Sequence, residues 1–169
     1  MTAHLVSVNI GRARNVEWHG RAVTTAIWKE PVPDRLYISF EGLSGDEQAD
    51  PRVHGGPEKA VYAYSTEDYA WWENELATVL APGTFGENLT VAGVDVGAAV
   101  AGDQWRVGSA VLEVTQPRGP CFKLGLRMGD AAFVKRFSEA GRLGMYLKVL
   151  EPGEVQTGDI VVVRPGGSF

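Results

Sequence analysis

The chain has 169 residues, a length that gives one domain of ordinary size and leaves no room for a second full one. Hydrophobic residues at 44% and charged residues at 22% match folded globular proteins and exclude disordered and collagen-like classes. A formal net charge of −5 opposes non-specific attachment to nucleic acid, because that attachment needs lysine and arginine to displace counterions from phosphates.

The opening segment MTAHLVSVNIGRARNVEWHG lacks the apolar run and small-residue cleavage site of a secretory leader, and no later stretch is long enough to cross a bilayer. Cys121 is the single cysteine, so no intrachain disulfide can form, and a free thiol persists best in a reducing compartment. Cytoplasmic residence is the expectation, with no membrane partner.

HLVSVNI (4–10) and RLYISF (35–40) carry the β-branched and aromatic residues of strands, and the second leads into the glycine-rich loop EGLSGDEQADPRVHGGPEK. KAVYAYS (59–65) is a short apolar run. STEDYAWWENELATVL then places Tyr69, Trp72, Leu76 and Val79 at steps of three and four, which predicts one helix face. Ser65 is the expected cap, with Asp68 in the third position, Glu67 and Asp68 at the positive end of the dipole, and Pro82-Gly83 as the stop.

From residue 87 to 117, apolar runs broken by Gly93, Gly97, Gly102-Asp103 and Gly108 predict successive strands with tight turns, and GMYLKVLEPGEVQTGDIVVVRP repeats the pattern. Between them, GDAAFVKRFSEAG predicts a helix capped by Asp130, with Phe133, Val134 and Phe137 on one face and Gly141 at its end. Short strands, 21 glycines and few helices predict a mainly β domain, a barrel that closes on itself with two or three peripheral helices. No repeat, low-complexity tract or linker divides residues 1–169.

Several familiar chemistries lack their residues. His4, His19, His54 and Cys121 are scattered without the paired spacing of a zinc site, and DEQADPRVHGG has Pro51 where a calcium loop needs glycine. No GxGxxG follows a strand, and neither GxxxxGK[ST] nor GxSxG occurs.

Cys121 therefore holds most of the chemical interest, and two readings of it stand. It is either a small buried hydrophobe or a presented thiolate. Pro117 and Pro120 hold the backbone extended around RGPC, while Arg118, Lys123 and Arg127 bring positive charge that favours a thiolate. If CFKLGLRM begins a helical turn, its free amides add to that field, and an anionic metal cofactor suits the place. Gly55 and Gly56 give flexible backbone ahead of Lys59, for approach to a ligand or as a plain surface turn. Asn88, in PGTFGENLT, either recognises a ligand or closes a turn.

Taken together, GLSGDEQADPRVHGGPEKAVYAY, Trp72, PGTFGENLT, AGDQWRVGSAVLEVTQPRGPC and the glycine-aspartate turn TGD resemble the MOSC domain family, named for the carboxy-terminal domain of molybdenum cofactor sulfurase, and within it the stand-alone bacterial YiiM-like branch. The resemblance covers nearly the whole chain, implies a single MOSC domain of barrel-like β fold, and places the family's cysteine at Cys121. It implies a molybdenum-cofactor-dependent oxidoreductase that reduces N-hydroxylated small molecules with electrons from separate redox proteins. Cys121 is then the protein ligand to molybdenum, a pyranopterin dithiolene supplies further sulfur ligands, and Arg118, Lys59 and Lys123 make the anion contacts. By analogy Glu87 or His54 supplies a proton.

A rival role in the family is sulfur transfer, with a persulfide on Cys121 received from a cysteine desulfurase. A third is a non-catalytic module that stores or delivers the cofactor. Longer YiiM-like proteins carry an additional carboxy-terminal helical segment, whereas this sequence stops at VVVRPGGSF.

Overall fold

The computed structural model describes residues 2–49, 55–167 and 169. Its strands are β1 (His4–Ile10), β2 (Arg14–Trp18), β3 (Arg21–Thr25), β4 (Glu30–Pro31), β5 (Leu36–Ser39), β6 (Gly42–Leu43), β7 (Val61–Ser65), β8 (Leu89–Ala92), β9 (Gln104–Val107), β10 (Ala110–Pro117), β11 (Met145–Glu151), β12 (Gly153–Val155) and β13 (Val161–Arg164). Three helices accompany them: α1 (Thr66–Leu76), α2 (Phe122–Met128) and α3 (Phe133–Ala140). No helix among the described residues is long and apolar enough to cross a membrane.

Eight strands form the main sheet in the order β13-β9-β10-β11-β7-β8-β1-β4. The ladder ends at β13 and β4, which corrects the expectation of a closed barrel. The sheet is barrel-like because it curls until the residues ahead of β13 meet β1. There Leu5 N–H donates to the Asp159 carbonyl at 2.8 Å, and Val161 N–H donates to that of Ala3 at 2.9 Å. A turn in which Asp159 accepts from the Gln156 N–H delivers the chain to β13 at this point, leaving the single bridge His4↔Ile160 in place of a ladder.

Strand alternation in β7 and β11 divides the interior into two layers. Val61, Ala63, Met145 and Leu147 face an aliphatic core inside the curled sheet; Tyr62, Tyr64 and Tyr146 face an aromatic layer beneath the helices. Buried on both sides, β7 reads as a continuous apolar run, as expected of a strand between two packed layers. Its neighbour β8 runs parallel to it, so α1 crosses over between them.

The Ser65 hydroxyl accepts from the Asp68 N–H at 3.1 Å, the cap expected for α1. Tyr69 and Trp72 are buried and Leu76 is partly so, but Val79 is 86% exposed. The helix stops at Ala77, which adopts the left-handed conformation at φ 51, before Val79 can join the face. The stretch 94–99, expected as strand, instead contains a 3₁₀ turn at Val96–Ala98 capped by Asp95. In α3, Phe133 and Phe137 are buried as expected and Gly141 ends the helix at φ 69. Asp130 binds the Ala132 N–H at 2.9 Å and thus holds the turn before the helix rather than capping it.

The β2–β3 hairpin goes unpredicted, as do the two-residue strands β4 and β6. His19 and Gly20 both have positive φ, 50 and 75, as a two-residue turn between right-twisted strands requires.

Candidate functional site

The local backbone around Cys121 follows from its prolines and glycines. Pro117 ends β10, and the Arg118 N–H continues briefly beside β11's entry by donating to the Gly144 carbonyl at 3.3 Å. The chain then turns into α2, whose N-cap is Cys121 in extended conformation (φ −127, ψ 176). The helical turn expected for CFKLGLRM is therefore present. Glycine at 125 within it suits a close approach, since a Cβ there would stand a tight 3.0 Å from the Asp130 carbonyl oxygen.

Cys121 is half-buried and lines a pocket enclosing about 620 Å³ of empty space, part of it open to solvent. Arg118, Lys123, Lys59, Tyr62 and Tyr146 line the same pocket, with Asn88 and Asp46 along another wall. Sequence-distant segments thus converge because β7, β11 and the end of β10 are neighbours in the sheet. Arg127 turns elsewhere, its guanidinium 5.8 Å from the centre of the Trp28 ring.

Arg118 is 7% exposed. One guanidinium nitrogen donates to the Phe85 carbonyl at 2.6 Å and to the Tyr62 hydroxyl at 3.4 Å, and the group lies 5.0 Å from the Tyr62 ring centre. Among the described residues no carboxylate forms an ion pair with it. A buried cation without a counter-ion is costly, and an anion in the pocket is the natural complement.

The polar side chains of Asp46 and Asn88 are engaged within the protein. Asp46 accepts from Lys29 Nζ at 2.7 Å and the Gly11 N–H at 2.9 Å with one oxygen, and from Asn88 Nδ2 at 3.0 Å with the other. Asn88 also accepts from the Tyr62 N–H at 3.0 Å and donates to the Asn9 carbonyl at 3.3 Å. Its amide is thereby engaged within the protein, tying β1, β7 and the 44–49 loop together. Gly56, at φ 87, caps the 3₁₀ turn Pro57–Lys59 that presents Lys59, and its N–H donates to Gln48 at 3.3 Å. Gly55 precedes it; neither glycine lines the pocket. His54 lies outside the described residues.

Glu87 is fully buried and faces away from the pocket. Its carboxyl accepts from the Tyr69 hydroxyl at 2.8 Å and the Thr90 hydroxyl at 3.0 Å. Burial raises its pKa above the ordinary carboxylate value, against the opposing effect of these hydrogen bonds. Because the folded-state pKa is raised, the associated stability is complete below the ordinary carboxylate range near pH ~4 and is lost as pH rises through the folded value. Glu87→Gln should therefore gain thermal stability relative to the natural chain as pH rises from about 5 to 8. Parallel melting curves in that window would expose the opposite slope if the assignment were wrong.

Tyr62 and Tyr146 are pocket residues that sequence reading passed over. Their signal was the alternation in VYAYS and MYLKV, where tyrosines and small or aliphatic residues take opposite faces. Reading KAVYAYS as a plain apolar run hid which face the phenols occupy.

A family model described as MOSC domain matches residues 50–162. The uncharacterized protein YflK of Bacillus subtilis (strain 168) is 40% identical over 154 residues, 91% of this chain and 70% of that protein. A protein of Gibberella moniliformis described as a reductase is 34% identical over 161 residues, 93% of this chain but 28% of that protein. The crystal structure of YiiM from Geobacillus stearothermophilus superposes with a TM-score of 0.78 at 30% identity, covering 96% of this chain and 75% of that one. The family match takes in the segments that bring Lys59, Arg118 and Cys121 to one pocket, and the agreement with YiiM extends to nearly the whole backbone: the chain belongs to the MOSC domain family, on its YiiM-like branch.

Proposed function

We propose that this pocket binds a molybdenum cofactor, with the Cys121 thiolate as the protein ligand to the metal, and that the protein reduces N-hydroxylated small molecules. The observation that carries the reading is Arg118, a buried cation without a described carboxylate partner in the same pocket as the chain's one thiol. A soft sulfur donor beside a cationic wall fits an anionic cofactor containing a thiophilic metal. The donor set therefore suits the group.

Arg118 and Lys123 would hold the anionic part of the cofactor, with Lys59, beside the Tyr146 ring, as a further cation on the lining. Bound there, the cofactor supplies two-electron chemistry at the metal, with electrons delivered by a separate redox protein. The Asp46–Lys29–Asn88 network fixes another part of the lining. The fungal relative described as a reductase is consistent with this reading, although the chain spans little more than a quarter of it.

Metal and pterin analysis tests the proposal. Protein produced with cofactor supply should carry near-stoichiometric molybdenum, and Cys121→Ala should fall to background. Equal molybdenum in the two proteins would overturn the ligand role; a sulfur adduct on Cys121 after incubation with a cysteine desulfurase would then favour sulfur carriage.

A further inference from the structure

Four buried phenols crowd the layer beneath the pocket, and three have their hydroxyls engaged by the protein. Tyr62 donates to the Leu143 carbonyl at 2.6 Å, Tyr64 to that of Arg142 at 2.7 Å, and Tyr69 to Glu87 at 2.8 Å. Tyr146 is different. It is 7% exposed and lines the pocket, yet among the described residues its hydroxyl has no hydrogen-bond partner.

Its placement follows from β11. Met145, Leu147 and Val149 face the aliphatic core, so Tyr146 between them faces the opposite side. The ring is fixed there, 5.3 Å from the centre of the Tyr62 ring and 5.4 Å from Lys59 Nζ. A phenol, with an ordinary pKa of ~10, is a protonated donor at neutral pH.

Cations are prominent among the polar groups that line this pocket. Arg118, Lys59 and Lys123 can only donate. Asp46, an acceptor on the lining, already accepts from Lys29, Gly11 and Asn88, and Glu47, also on the lining, has its side chain 46% exposed. Such a wall favours a ligand bearing an oxygen acceptor over one bearing an amine.

We infer that the Tyr146 hydroxyl contacts the ligand directly, donating a hydrogen bond to the oxygen of an N–OH group and thereby acting as a catalytic, substrate-selecting residue. This rests on the reading of the pocket as a reductase site. The overall conversion is R–NH–OH + 2e⁻ + 2H⁺ → R–NH₂ + H₂O. The N–O bond breaks, nitrogen is reduced by two electrons from the separate redox protein, and protons from solvent complete the amine and the water. Tyr146 holds the departing oxygen through its O–H and is unchanged at the end.

Calorimetric titration of the full chain with N-phenylhydroxylamine and with aniline, under anaerobic conditions, tests the contact without relying on turnover. The natural chain should bind the hydroxylamine about five- to tenfold more tightly than the amine, the ratio expected of one hydrogen bond. Tyr146→Phe should bind aniline as before and lose that preference. A melting temperature matching the natural chain would confirm that the ring still packs. A preference that survives in Tyr146→Phe, or none in the natural chain, would overturn the assignment. Molybdenum content measured on the same samples reports separately on the cofactor reading, so the two can fail independently.

Discussion

Arg118→Met is expected to remove the anion response of the pocket while leaving the ligand-free fold close to its original stability. In the natural chain, inorganic pyrophosphate at about a hundred times its dissociation constant should raise the unfolding free energy by about 2.7 kcal/mol. The variant should show no rise, and its affinity for the cofactor should drop about 30-fold or more, the cost of truncating one member of a buried charged contact. Two opposing terms keep the ligand-free change small. Methionine removes an uncompensated buried charge, which favours the variant. It also leaves the Phe85 carbonyl without its donor, which costs about 1–3 kcal/mol, while the Tyr62 hydroxyl keeps its bond to the Leu143 carbonyl. Thermal unfolding with and without pyrophosphate separates the terms, and an undiminished ligand response in the variant would rule out Arg118 as the anion contact.

Trp72→Ala should produce the largest loss of stability. Trp72 is fully buried, stacks with Phe137 at 5.8 Å between ring centres, and donates its indole N–H to the Tyr64 hydroxyl at 3.0 Å. Truncating a tryptophan in such a place costs about 3–5 kcal/mol. For a chain of this size that lowers the melting temperature by about 6–20 °C. The effect should reach the pocket, because Phe137 also lies 5.8 Å beneath the Arg118 guanidinium. Equilibrium urea unfolding measures the first effect, and the pyrophosphate shift measures the second. A melting temperature within about two degrees of the natural chain would contradict the packing described for this layer.

What could be read from the sequence was local. HLVSVNI gave β1 with its observed limits, and Ser65 and Asp68 gave the cap of α1, because each depends on neighbours within a few residues. The end of α1 was misplaced because Ala77 carries no mark of the left-handed conformation it adopts, whereas Pro82-Gly83 advertised a stop further on. The β2–β3 hairpin was missed since its turn uses His19, a residue less typical of positive φ than asparagine or glycine. Closure failed on a long-range property, the register between β1 and the segment before β13.

The site divided in the same way. Cys121, Arg118, Lys59 and Lys123 were chosen as chemically distinctive residues, and the strand order brings all four to one pocket. Asn88 and Glu87 were chosen by type as well, but what each does depends on partners far away in sequence. Asn88 meets Asp46 and Asn9; Glu87 meets Tyr69 of α1. Tyr146 shows the reverse case, since nothing in its sequence neighbourhood separates it from Tyr62. Only the pairing of three phenols with acceptors elsewhere leaves the fourth standing out.

The meeting of Leu5 with Asp159 also bears on the order of events at the ribosome. β1 is made well before part of its pairing set: β8 lies on one side, and on the other side β4 covers only Asn9 and Ile10 while Leu5 meets the segment Gly158 to Val161. At about 5–20 residues per second, β1 waits on the order of ten to thirty seconds for the last of these to be made. During that interval Leu5 and Val8, both inaccessible in the finished molecule, lack their covering, and β1 is an open template for strand pairing with another nascent chain. Molecules that begin folding before synthesis ends therefore depend on holding β1 apart from their neighbours, and crowded polysomes are where misassembly should begin.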